Sequence, residues 1–161
     1  MGKEVKVFIG SDHAGFEYKQ KIIKFLGKSG YLVKDMGPYE YDPKDDYPIY
    51  SFSVAKEVAK NKNSFGIIIA RTGIGEAVAA NKVKGVRAVS FLGKVNKKFI
   101  EMSRIHDNAN VLAFGSDFVH FKDAKRALYI WLNTKFLGGK RHLRRLGEIE
   151  EFEKKNWKGK K

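Results

Sequence analysis

Residues 65–82 read FGIIIARTGIGEAVAANK. The apolar run Phe65–Ala70 is too short for a helix and carries no polar alternation, the pattern of a strand buried on both faces. The glycines of RTGIGE then turn the chain, and the alanine-rich EAVAANK favours a helix. Strand, tight glycine loop and helix make the repeating unit of a parallel α/β sheet. Such a loop points unpaired N–H groups outward at the positive end of a helix, where an anion can sit. It lacks the third glycine of a dinucleotide fingerprint and the Gly-Lys-Ser/Thr ending of a phosphate loop. Instead Glu76 stands at its lip. Two readings of that carboxylate are open: an ordinary first-turn acid, or a base beside an oxyanion hole.

Working outward, the remaining strands are expected at Val5–Ile9, Tyr31–Val33, Val86–Phe91 and Val111–Phe114. Helices are expected from Phe16 to Ser29, with Phe16, Ile22, Ile23 and Leu26 as the buried stripe, and then over Tyr50–Asn61 and Val95–Arg104. Two more run from about Phe121 to Phe136 and from Leu143 to Lys155. The stretch MGPYEYDPKDDYP, residues 36–48, holds all three prolines and reads as a loop. Strand and helix alternate throughout, with no repeat and no linker, so one α/β domain over residues 1–161 is expected, its helices on both faces of a parallel sheet. Ligands of such sheets bind at the carboxyl ends of the strands. That directs attention to GSDHAG (10–15), RTGIGE (71–76), HDNAN (106–110) and GSD (115–117), which are expected on one rim.

Composition narrows the function classes. Hydrophobic residues at 43% and aromatic residues at 13% suit a folded domain, and the absence of cysteine excludes disulfides and thiol nucleophiles. No apolar run approaches a membrane span, and MGKEVKVFIG has no signal-peptide core, so a cytoplasmic protein is expected. MGKEVK also lacks the Ser or Thr of a myristoylation signal. The net charge of +14 comes from lysines interleaved with glutamates and from the tail from Lys135 onward, with ten basic and four acidic residues. No nucleic-acid motif accompanies it; a solvated basic face that draws in anionic substrates is expected, not a nucleic-acid partner.

A carboxylate beside an N–H-rich pocket suits aldose–ketose isomerisation. A base moves hydrogen between C1 and C2 while donors hold the enediolate charge. That chemistry needs neither metal nor redox cofactor, and none is expected. Asp12 and His13, after the first strand, read either as a turn and cap or as ligands of substrate hydroxyls. His106 stands between a helix and a strand. Arg141, His142, Arg144 and Arg145 are either a solvated basic face or a phosphate clamp.

With these stretches in view, the chain resembles the family of ribose-5-phosphate isomerase B, which includes the galactose-6-phosphate isomerase subunits. The matching segments are GSDHAGFEYK, DYP at Asp46–Pro48, TGIGEAVAANKVKGVRAV, HDNANVLAFGS and RHLRR, in order along nearly the whole chain. The resemblance implies a three-layer Rossmann-like domain with a mostly parallel five-stranded sheet. It also implies homodimers, often paired into tetramers, with sites at the dimer interface. Many members use a cysteine before the glycine loop, where this chain has Ala70. A second branch uses a glutamate after the loop, and Glu76 matches it. By the same resemblance Thr72, Gly73, Ile74 and Gly75 form the anion hole, with the Thr72 hydroxyl as a further donor. His106 opens the sugar ring. Asp12 and His13 contact sugar oxygens, Asp12 also assisting ring opening, and Arg141 and Arg145 bind phosphate.

Three positions depart from the pattern. Asp107 stands where Asn is usual, Asp117 where a phosphate-binding Arg is usual, and Arg71 where Gly is more common. Arg71 either replaces the lost cation or pairs with Asp107 or Asp117. The activity implied is interconversion of ribose 5-phosphate and ribulose 5-phosphate. The alternatives are an allose-, galactose- or tetrulose-phosphate substrate, or a non-catalytic subunit.

Overall fold

A computed structural model describes residues 5–157. The first four residues of the N-terminal stretch and the last four of the basic tail lie outside them. The strands are β1 (Lys6–Ser11), β2 (Leu32–Asp35), β3 (Phe65–Ala70), β4 (Ala88–Phe91) and β5 (Val111–Gly115). The helices are α1 (Phe16–Lys28), α2 (Tyr47–Lys60), α3 (Ile74–Ala80), α4 (Lys97–Ile105), α5 (Phe121–Asn133) and α6 (Lys140–Asn156). Among the described residues, no helix is long and apolar enough to cross a membrane.

The sheet order is β2-β1-β3-β5-β4, and every pairing is parallel, where the sequence led us to expect a mostly parallel sheet. Leaving β1, the chain goes to one side for β2 and then crosses to the other for β3. This reversal opens a crevice at the carboxyl ends of β1 and β3, the usual ligand position in open α/β sheets. Side chains alternate across the sheet. Val7, Ile9, Ile67, Ile69, Leu112 and Phe114 pack with Ile22 and Leu26 of α1, Ile100 of α4 and Leu128 and Trp131 of α5. On the other face Phe8, Ile68, Val111 and Ala113 meet Val54 and Val58 of α2 and Ala77 and Ala80 of α3.

Several local expectations need correction. The buried stripe of α1 holds Ile22 and Leu26, but Phe16 and Ile23 are only half-buried, and Lys19 takes the deepest polar position. Its Nζ donates to Asp35 Oδ1 and to the Pro38 carbonyl, both at 2.7 Å, so the buried ammonium is fully engaged. α2 begins at Tyr47, not Tyr50, because Pro48 sits in its first turn, where a missing N–H costs nothing. α6 begins at Lys140, which brings Arg141 into its first turn. Among the described residues of α6 only Glu153 is buried, its Oε2 accepting from the Gly85 N–H at 3.0 Å; Leu143, Ile149 and Phe152 are exposed.

The glycine of FGIIIA sets the spacing of one layer. A Cβ at Gly66 would fall 2.8 Å from Val54 Cγ1 and 2.9 Å from Val111 Cγ2, so α2 lies as close to β3 as a bare backbone permits. Gly66→Ala is expected to cost about 1–3 kcal/mol through overpacking, read from urea unfolding. At Gly27, where an added methyl meets nothing within 4 Å, the same change is expected to cost nothing.

Candidate active site

The loop after β3 is set by one glycine. Gly73 has φ +78°, and a Cβ there would lie 2.6 Å from Phe114 Cα, so the loop is pressed flat on the backbone of β5. Thr72 Oγ1 accepts from the Ile74 N–H at 3.3 Å, and the Gly73 and Glu76 N–H groups reach the Glu76 carboxyl. Gly75 is required for a second contact: its Cβ would fall 2.8 Å from Tyr47 Cζ, so the start of α3 packs on a ring of α2.

Glu76 follows, 3% exposed, and its Oε2 has no partner among the described residues. Burial pushes its carboxyl above the usual range and nearby Asp12 adds to the rise, against a smaller pull from the backbone N–H groups of Glu76 and Gly73. A buried carboxylate with one unpaired oxygen is poorly solvated as an anion and correspondingly basic.

Asp12 caps the short 3₁₀ turn His13–Gly15, its Oδ1 accepting from Gly15 N–H at 3.1 Å, and burial raises its pKa. The turn-cap geometry is therefore present, with the same carboxylate close to Glu76. His13 is held by Asp45: its backbone N–H donates to Asp45 Oδ1 at 2.9 Å and its Nδ1 lies 2.7 Å from the same oxygen. Sequence reasoning missed Asp45 and Tyr47; the acidic pair ahead of the tyrosine in KDDYP was the only available signal. Arg71 resolves its alternatives in favour of Asp117, with Nη1 to Oδ2 at 3.2 Å, both side chains reaching solvent. Ser116 ties the same corner, its Oγ donating within reach of the Ala14 and Ala70 carbonyls at 3.1 and 3.2 Å.

HDNAN does not join this rim within the chain. His106 ends α4 and precedes β5, whose first residue, Val111, pairs with Gly66 at the start of β3. Residues ahead of a parallel strand lie at its amino end, whereas Arg71–Glu76 follow the carboxyl end. The six residues of β3 put roughly 17 Å between those levels. At the amino end, Arg104 Nη1 donates to Asn108 Oδ1 at 2.9 Å and to the Ala109 carbonyl, fixing the loop that carries His106 and Asp107. The His106 ring stacks on His142 of α6 at 4.3 Å and 8°. Desolvation, His106, Arg141 and Arg145 hold His142 below the ordinary imidazole range. There are thus two half-sites: Asp12, His13 and Arg71–Glu76 at one end, and His106, Asp107, Arg141 and Arg145 grouped around His142 at the other.

Residues 7–149 match the family model described as Ribose/Galactose Isomerase. The chain is 42% identical over 148 residues to a probable ribose-5-phosphate isomerase B of Mycoplasma pneumoniae, covering 92% of this chain and 95% of that one. Against ribose-5-phosphate isomerase B of Mycolicibacterium paratuberculosis identity is 34%, covering 93% and 92%. Among solved structures, ribose-5-phosphate isomerase B of Mycoplasma genitalium with bound ribulose-5-phosphate superposes with a TM-score of 0.89 at 40% identity, covering 96% and 100%. The Clostridium thermocellum enzyme gives 0.86 at 41%, covering 94% and 99%. The chain belongs to the ribose/galactose isomerase family.

Proposed function

We propose that the protein interconverts ribose 5-phosphate and ribulose 5-phosphate, with Glu76 as the base. The observation that carries this is the buried, half-unpaired carboxylate of Glu76, set in the first turn of α3 directly after the Thr72–Gly75 loop. In the open-chain aldose, Glu76 takes the proton from C2. Electrons move into the C1–C2 bond and onto O1, and the loop amides stabilise the enediolate. Transfer of the O2 proton to O1 and return of the proton from Glu76 to C1, as the C2 carbonyl forms, give the ketose. Asp12 and His13 face the same crevice and orient the sugar. Phosphorylated sugars are charged and stay in the compartment that makes them, so a cytoplasmic setting accompanies this reading.

A second copy completes the site in this proposal. His106, for ring opening, and Arg141 and Arg145, for the phosphate, stand at the wrong end of their own sheet. Apolar surface supports association. A 220 Å³ groove between β4 and α4 is lined by Val89, Phe91, Phe99 and Met102 and ends at His106 and Asp107. Ile74, Val78, Leu92 and Phe99 beside it are exposed, as are Leu143, Ile149 and Phe152 of α6. Packing these faces on a partner brings one chain's amino-end cluster to the other's rim. Arg71 neutralises Asp117 there, so the acid does not oppose the substrate's phosphate.

Three outcomes test the reading. In a coupled assay of ribulose 5-phosphate formation, Glu76→Gln is expected to lower kcat by about 10³-fold or more; an unimpaired variant removes Glu76 as the base. The same variant is expected to be more stable than wild type at neutral pH, by on the order of 1 kcal/mol. The sign follows from the raised carboxyl: the folded state holds the proton more tightly than the unfolded one. Wild type therefore loses stability as pH rises from the ordinary value of 4.5 through the folded value, whereas the variant does not. Urea unfolding at pH 4.5 and 7.5 measures the difference, and the pH–rate profile is expected to show an acidic limb from the same group. Finally, Glu76→Gln and His106→Asn, each inactive alone, are expected to regain about a quarter of wild-type activity when their subunits are mixed at random, because half the dimers then hold one intact site of two. No recovery on verified subunit exchange would show that both residues serve one chain's site.

A further inference from the structure

The loop between β2 and α2 carries an acid that the mechanism above does not use. Asp45 is buried, its side chain 5% exposed; its Oδ1 is held by His13, and the Tyr50 phenol also lies within hydrogen-bonding reach of the carboxyl. Oδ1 accepts from the His13 backbone N–H at 2.9 Å and meets His13 Nδ1 at 2.7 Å. Oδ2 is buried with no partner among the described residues. A buried carboxylate in this condition requires a cation, and the imidazole is the group placed to supply it. The backbone bond and the ring bond together fix both the chain and the ring plane of His13. Tyr41 adds an edge contact, its ring centroid 6.4 Å from that of the imidazole. With Nδ1 occupied, Nε2 is the ring atom left without a protein partner among the described residues, and the side chain is 28% exposed, toward the crevice mouth.

We propose that Asp45 is a positioning residue: it holds His13 as an imidazolium whose Nε2–H faces the crevice and donates to a negatively charged or carbonyl oxygen of the substrate. The inference rests on the isomerase reading for its substrate, but the ion pair itself does not. Groups that face His13 act in both directions. Asp45 raises its proton affinity most, Asp12 adds to this, and partial desolvation and Arg71 oppose it, with a net rise. Tyr50 lies against the same carboxylate; burial first and Asp45 second push its phenol up, so it stays neutral and does not compete for the charge. A cation fits the local charge balance as well. Asp12 and Glu76 are both buried at this crevice, and Arg71 is already paired with Asp117, so an imidazolium is the cation this chain's own rim can offer an anionic substrate.

The dyad can be tested apart from catalysis. Histidine-selective NMR of the whole protein gives the titration midpoint of His13, identified by its loss in His13→Gln. The wild-type midpoint is expected above the ordinary 6.5, and Asp45→Asn, which keeps shape and the backbone acceptor, is expected to lower it toward that ordinary value. In the steady state, KM for ribose 5-phosphate in Asp45→Asn is expected to rise about tenfold at pH 8, the excess shrinking as pH falls to 6, where the ring protonates without help. Asp45→Glu is expected to restore much of both effects. A wild-type midpoint at or below 6.5 overturns the proposal without any variant. So does an Asp45→Asn midpoint equal to wild type, or a KM increase equal at pH 6 and pH 8, the mark of a loop anchor alone. Absence of isomerase activity in wild type would defeat the isomerase reading while leaving the titration to decide the ion pair.

Discussion

The contact on which the site depends is between two backbones. Gly73 of the loop after β3 lies against Phe114, and Gly115 at the end of β5 lies against Thr72, each so closely that a Cβ would come within 2.6 Å of a main-chain carbon. Side chains on either glycine would lift the loop from the sheet. Pressed down, the loop starts α3 beside the strand ends instead of above them, and its first turn is partly enclosed. That enclosure, not any specific partner, strips water from Glu76. The proton affinity of the proposed base is therefore set by how tightly a loop fits a strand.

The other acids at this rim are each engaged. Asp45 is held on His13, Asp117 on Arg71, and Asp12 accepts from the Gly15 amide. Glu76 keeps a buried oxygen without a partner, as does Asp45, whose other oxygen is held on His13. Differences in partnership thus divide four carboxylates into three that build and one that is free to exchange a proton. The exposed Arg71–Asp117 pair adds little to stability. Its consequence is electrostatic: Arg71 offsets the charge of Asp117 at the rim.

Much of this was legible in the sequence, and the failures have physical causes. The apolar run of β3, the glycine loop and the alternation of elements fixed the layers and the crevice, because strand burial and turn geometry are local properties. Lys19 was missed because a lysine on a helix is usually solvated; its burial depends on Asp35 and Pro38, distant in sequence. Asp45 was hidden for the same reason: 32 residues separate it from His13. His106 was placed on the rim because motif content was allowed to outrank strand direction. A residue before a strand and a residue after one belong to opposite ends of a parallel sheet, whatever their chemistry. That rule sets His106 and Asp107 at the opposite end of the sheet from Arg71–Glu76.

The buried ammonium of Lys19 has a bearing on how this crevice is held. It grips the root of the β2–α2 loop through Asp35 and Pro38, while His13 grips the far end through Asp45. Between the two fastenings, residues 39–44 are all exposed. The loop is a span clamped at both abutments, and within its arch Tyr41 leans edge-on against the imidazole that Asp45 holds. The position of that ring is thereby tied to the sheet through both ends of one exposed loop.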